Sequence, residues 1–248
     1  MAISIVPAIK LVKEVANGTI KKDAVLTLGR QDICFTRGLI HYVMEQHGLP
    51  VPDESRALPS EEAPPMEEFF TTLGFGRVES LDVTDYENCS IVHDMNLAVP
   101  KGPLTGAFSL IVDGGTMEHV FNVPMFLSNV HDMLAVDGIV FHHVPVNGWV
   151  DHGFYQFSPV LFYGHYVSNK YDLISIDLIK MNVHNNMTED EPIPYVPGTL
   201  NGRVLPEQDK YWYMCAAMCR KTPESTSTVS PYQVFSQGKL AEISSSAH

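Results

Sequence analysis

The chain has 248 residues, 45% of them hydrophobic, with 16 basic and 29 acidic side chains, so its formal net charge is −13. That length and apolar content exclude a disordered chain and fit one globular domain, expected over residues 1–221. The charge argues against a nucleic-acid backbone and an anionic membrane surface as partners, since both are met by basic patches, and favours neutral or cationic ligands unless a local basic pocket overrides it.

Residues Pro7 to Val15 carry apolar side chains at helical spacing, and Gly18 stops them. AVLTLGRQ is a first strand that breaks at Gly29. Thr36 is placed to cap a helix running to His47. Leu49 to Pro65 holds five prolines among acids and reads as a loop, either a surface excursion or a lid over a site. Met66 to Leu73 resumes as a helix. VESLDVT (Val78 to Thr84), SIVHDMN (Ser90 to Asn96) and FSLIVDGG (Phe108 to Gly115) are the next three strands. Val123 to Met133 is a helix with Pro124 tolerated in its first turn. GIVFHHVPV is a fifth strand, Tyr171 to Ile179 a sixth and Tyr211 to Cys219 a seventh, with a polar, turn-rich connection at Asn182 to Pro206. The Ser/Thr-rich tail, residues 222–248, is expected to be mobile.

Strands alternating with helices predict an α/β domain: a doubly wound, mostly parallel seven-stranded sheet with an antiparallel last strand and helices on both faces. No run approaches the ~20 apolar residues of a membrane span. Pro7 and the lysines around it interrupt the N-terminal apolar run, so no signal peptide is expected. Cys34, Cys89, Cys215 and Cys219 form no CxxC pair and are expected to be free thiols, which suits the cytoplasm.

FSLIVDGGTMEHV (Phe108 to Val120) is the most informative stretch. A buried strand runs into Asp113, turns on Gly114 and Gly115, and delivers Glu118 and His119 beside a crevice. Asp82 and Asp94 end the two preceding strands. One such acid can accept both hydrogen bonds of a ribose diol, and another can take the exocyclic amine of adenine.

This order of strand-end acids, carried by SLDVTDYENCSIVHDMN and FSLIVDGGTMEHVFNVPMFLSNVHDMLAVDGIVFHHVPV, resembles the class I S-adenosylmethionine-dependent methyltransferases over roughly Ala24 to Cys219. The resemblance implies S-adenosylmethionine as cofactor, Asp82 as the ribose acid, Asp94 with Met95 at adenine, and Asp113, Gly114 and Gly115 beside the methionine portion. In VLTLGRQDICFT, Thr27 and the single Gly29 stand where the family has an acid and a Gly-x-Gly loop. Arg30 and Gln31 follow Gly29, and Arg30 offers a carboxylate clamp.

Eleven histidines are many for this length. His119, His143 and His152 are the candidate general bases for methyl transfer to a hydroxyl or amine of a small molecule, with His119 first. His142 and His143 must point to opposite faces of their strand. A metal bound by His119, His143, His152 and Asp151 lacks a supporting HxxxH or HxH spacing, so none is expected. The aromatics Phe154, Tyr155, Phe157, Phe162, Tyr163 and Tyr166 read as a core layer or as a pocket wall. Two other readings keep the fold: a hydrolase, lyase or cyclase working through the histidines, with or without a metal, or a non-catalytic binding subunit.

Overall fold

The computed structural model describes residues 2–182, 191–200, 205, 207 and 210–232. In chain order they form β1 (Ala2–Ile3), α1 (Ile5–Ala16), β2 (Ala24–Leu28), β3 (Asp32–Ile33), α2 (Arg37–Gln46), α3 (Asp53–Arg56), α4 (Met66–Thr72), β4 (Arg77–Asp82), β5 (Ile91–Val92), β6 (Phe108–Asp113), a 3-10 turn (Met117–His119), α5 (Val123–Met133), β7 (Leu134–Asn147), α6 (Pro159–Ser168), β8 (Asp172–Asn182), β9 (Ile193–Pro194) and β10 (Tyr211–Arg220).

The main sheet has the order β5-β4-β2-β6-β7-β10-β8-β9. β5, β4, β2, β6 and β7 pair in parallel, and β10 runs antiparallel between β7 and β8. The expected sheet with its reversed last strand is therefore present, with one addition. β9, only two residues long, pairs antiparallel with β8 and makes eight strands instead of seven. So short a segment inside the polar connection has too few residues to show a period of two. Residues 183–190 of that connection lie outside the described residues, as do 233–248 of the tail. The tail's first residues run along the end of α6: Asn169 accepts from Val229 N and Thr226 Oγ1 and donates to Val229 O.

Each face of the sheet is covered. On one side Leu11 and Val12 of α1, Ile40 and Met44 of α2, and Phe69 and Phe70 of α4 pack on Val25, Leu110 and Val112. On the other, Phe126 and Val130 of α5 and Phe162 and Tyr166 of α6 pack on Leu26, Ile111 and Val140. Central strands buried on both faces read as continuous apolar runs, which is why AVLTL and FSLIV were legible. α6 was not foreseen. Its sequence, PVLFYGHYVS, is apolar on most sides and shows little helical periodicity.

Thr36 does cap α2, its side chain accepting from Leu39 N. The proline-rich loop is fastened to the helices on either side. Arg37, which is buried, pairs with Glu68 and Glu62 and donates to Pro59 O, and His41 bonds Ser55 Oγ at 2.8 Å. All four cysteines are free, Cys215 and Cys219 in the core and Cys34 exposed. Among the described residues no helix is long and apolar enough to cross a membrane.

One buried polar residue fixes how the chain leaves β5. Asn129 on α5, 1% exposed, accepts from Val99 N and donates to Met95 O and Leu97 O. Asn129→Ala strands three backbone groups in a dry interior. Each such group costs about 1 kcal/mol or more, so a total near ~3 kcal/mol is expected. Thermal unfolding should show the melting temperature lowered by roughly 6–12 °C.

Candidate active site

The strand order reverses between β2 and β6, and the crevice opens at the carboxyl ends of these strands. A pocket of about 240 Å³ lies there, lined by Leu81, Asp82, Val83, His93, Asp94, Met95, Asn96, Thr116, His119 and Val120. The sequence-derived candidates Asp82, Asp94, Met95 and His119 are thus brought together. Gly29, Arg30, Gln31, Asp113, Gly114, Gly115, His143 and His152 are not part of this lining.

Asp82 ends β4, with Oδ1 accepting from Val83 N at 2.6 Å. Asp94 follows β5. The N–H and side-chain amide of Asn96 both donate to its Oδ1 at 2.8 Å, and these bonds hold its carboxyl below the usual range. Asn96 in turn accepts from Asn122 N, and Asn122 caps α5 by accepting from Met125 N. The pocket wall is therefore tied to a helix start.

Asp113 points elsewhere. Its carboxylate is fully buried: Oδ1 accepts from Thr116 N (2.9 Å) and Met117 N (3.2 Å), and Oδ2 meets His142 Nδ1 at 2.7 Å. His142 Nε2 meets the hydroxyl of Tyr166 at 2.6 Å. Burial pushes the Tyr166 hydroxyl far up, so it keeps its proton and donates to Nε2, leaving Nδ1–H to donate to Asp113. Asp113 is thereby an internal anchor of the turn that carries Glu118 and His119. Tyr166 and Phe162 belong to the core, and Phe154 stands 68% exposed beside Phe121 at the surface.

The near wall differs from the expected one as well. Gly29 takes the left-handed φ of +72° and donates to Leu81 O. Arg30 is held by Glu67 through two bonds of 3.0 and 3.1 Å, so its guanidinium is already engaged. Gln31 turns inward, donates to Leu28 O, and lies so close to Gly114 that any Cβ there would overlap it. Its Oε1 is buried without a partner among the described residues. Thr27, where an acid was expected from the family pattern, is fully buried against Met66.

Glu118 is 1% exposed, and its Oε2 has no hydrogen-bond partner among the described residues. Burial, with Asp113 nearby, pushes its carboxyl up to about 8. His119 and His152 face each other edge to face at 4.9 Å, and Trp149 packs on His152 at 5.0 Å. Burial and the neighbouring His152 lower the pKa of His119, so it is neutral at pH 7. His143 lies on the opposite strand face from His142, 4% exposed, and burial lowers its pKa to about 4. Sequence reasoning missed Asn129 and Trp149, and it named Tyr166 as a core or pocket-wall aromatic without its bond to His142. A lone Asn within the apolar pattern of α5 was the available sign for the first.

No family model matches the chain, and no curated protein matches it. Solved structures resemble it in part. One is a 1,6-didemethyltoxoflavin-N1-methyltransferase of Burkholderia thailandensis, solved with S-adenosylhomocysteine: 12% identity, 87% of this chain, 78% of that one, TM-score 0.42. A second is the trans-methyltransferase CalH in complex with SAH, at 11% identity and TM-score 0.44, covering 86% of this chain and 55% of CalH. A third is a SAM-dependent methyltransferase from Aquifex aeolicus, at 11% identity and TM-score 0.42, covering 85% and 88%. These likenesses concern the course of the backbone alone.

Two outcomes follow from the buried groups. Asp113→Ala leaves His142 and two backbone N–H groups without their acceptor, and urea unfolding should show a loss of roughly 3–5 kcal/mol. His143, neutral in the fold, protonates first in the unfolded chain, so its contribution to stability is present above about pH 6.5 and is lost as pH falls towards 4. Between those limits His143→Gln should lose less stability than wild type, by on the order of 3 kcal/mol, in urea titrations at each pH.

Proposed function

We propose that the chain transfers a methyl group from S-adenosylmethionine to a hydroxyl or amine of a small molecule. The observation that carries this reading is the meeting of Asp82 and Asp94 in one pocket, at the ends of adjacent parallel strands. Two acids among Leu81, Val83, Met95 and Val120 suit a ligand with a diol, an amino group and flat apolar faces. No phosphate needs to be gripped there, in keeping with a net charge of −13. The sheet order with its reversed β10 is the arrangement that the class I resemblance implies.

The residues present fit this cofactor. Asp82 would hold the ribose diol, and Asp94 with Met95 the adenine. The pocket volume suits the nucleoside half. For the amino-acid half, Gln31 Oε1 is a buried acceptor without a partner among the described residues, suited to an ammonium group. The carboxylate end gains no help from Arg30, which Glu67 occupies. When bound, S-adenosylmethionine supplies an electrophilic methyl group on sulfur. His119 lines the same pocket and is neutral at pH 7, so its ring can accept the proton of an acceptor hydroxyl or amine. Phe121, next in sequence to the lining residue Val120, and Phe154 packed against it offer exposed aromatic faces to a flat acceptor.

Thermal unfolding with S-adenosylhomocysteine tests the reading. At a hundred times its dissociation constant the ligand should stabilise the fold by about 2.7 kcal/mol. Asp82→Ala removes two charge-assisted bonds and should weaken binding roughly a hundredfold by calorimetry. Absence of both protection and heat at millimolar ligand would overturn it.

A further inference from the structure

Beside His119, outside the lining of that pocket, stand two side chains, Glu118 and His152, that methyl transfer itself does not require. Glu118, His119 and His152 present one donor atom each, and these atoms lie within 4.8 Å of one another. Glu118 Oε1 stands 3.9 Å from His152 Nε2. The carboxyl is almost fully buried, and Oε2 has no partner among the described residues. A buried carboxyl in that state is costly, and a cation relieves the cost.

The chain holds this group in place from two directions. The Asp113 anchor sets the turn on which Glu118 and His119 sit. The loop after β7 is fastened to the same turn, because Phe154 N and Tyr155 N both donate to Glu118 O, at 2.8 and 3.2 Å. Gly153 allows that approach: a Cβ there would stand 2.9 Å from Glu118 O and 3.0 Å from Glu118 Cγ. Asp151 takes a left-handed φ of +63° just before His152, and Trp149 packs on the His152 ring. The loop is thus shaped so that His152 is delivered opposite Glu118.

We propose that Glu118, His119 and His152 bind a single divalent transition-metal ion of the zinc type. Two imidazole nitrogens and one carboxylate oxygen suit such an ion, whereas magnesium and calcium favour oxygen donors throughout. Three protein donors leave at least one coordination position, as in catalytic sites. On a shared ion the donors would stand roughly 3.3 Å apart, so the Glu118–His152 pair must close by about 0.6 Å and the widest pair by up to about 1.5 Å, through rotation of the two exposed rings of His119 and His152. Because His119 also lines the pocket of Asp82 and Asp94, the remaining position would serve the acceptor oxygen, whose proton the ion would loosen towards solvent; with the ion bound, His119 holds the ion in place of accepting that proton itself. That last role rests on the methyl-transfer reading, while the ion site itself does not.

Chelator-treated full-length protein titrated with Co²⁺ tests the site, read by visible absorption and by quenching of tryptophan emission. The chain has two tryptophans, Trp149 and Trp212, with ring centroids 4.6 Å apart, so the emission reports from beside His152. One equivalent should bind, Zn²⁺ should displace it, and Glu118→Gln and His152→Ala should each weaken binding at least tenfold. His47→Ala, a control at the end of α2, should bind as wild type does. Equal affinity in wild type and Glu118→Gln, or no absorption and no quenching at millimolar Co²⁺, would overturn the proposal. S-adenosylhomocysteine titrated into the same samples separates the two readings. Its binding without Co²⁺ binding removes the ion site alone, and Co²⁺ binding without it upholds the ion site and removes methyl transfer.

Discussion

The buried carboxylate of Asp113 is the constraint on which the site depends. An anion with no solvent contact is tolerable only when its oxygens are engaged, and here two backbone N–H groups and an imidazole engage them. Those three donors come from two parts of the fold. The backbone pair shapes the turn after β6. His142 belongs to β7 and passes the constraint to Tyr166 on α6. One group thereby sets the position of Glu118 and His119 relative to the next strand and to the helix behind it.

A second tier of polar residues shapes the opposite wall. Asn129 reaches from α5 to three backbone groups between Met95 and Val99, and Asn122 joins Asn96. Asp94 and Met95 are therefore placed by a helix that lies on the far side of them in sequence. The first loop is organised by the same economy of donors. Gln31 donates to Leu28 O, which also accepts from the Thr116 hydroxyl, so the ends of β2 and β6 are stitched together across the point where strand order reverses. Gly114 leaves room for the Gln31 amide, which a Cβ at that position would have to displace. This chain fills that space with an amide whose oxygen has no partner among the described residues.

Much of the fold was legible because burial on both faces writes a strand as an unbroken apolar run. AVLTL, FSLIV and the core of β7 all show it. The strand-end acids Asp82 and Asp94 were legible as pocket residues for a related reason, since a strand that stops at an acid stops at a wet edge. Asp113 follows the same pattern in sequence and yet turns inward. Nothing local distinguishes the three. The difference comes from His142, 29 positions later, whose imidazole reaches Asp113 across β6 and β7. Arg30 was likewise readable as a free clamp until Glu67, 37 positions on, is seen beside it.

The amino-acid sequence by itself determined the class of fold, the order of the main strands and the residue types that reach the crevice. Hydrophobic period, glycine turns and caps are local properties, and they survive without knowledge of the partners. Only the tertiary structure decided which carboxylate meets solvent and which is an internal anchor, and which histidines stand together. His119 and His152 are 33 positions apart and meet only because the loop after β7 folds back onto Glu118. Direction and burial of a side chain are set by contacts between distant segments, and a carboxylate or an imidazole takes its chemistry from those contacts.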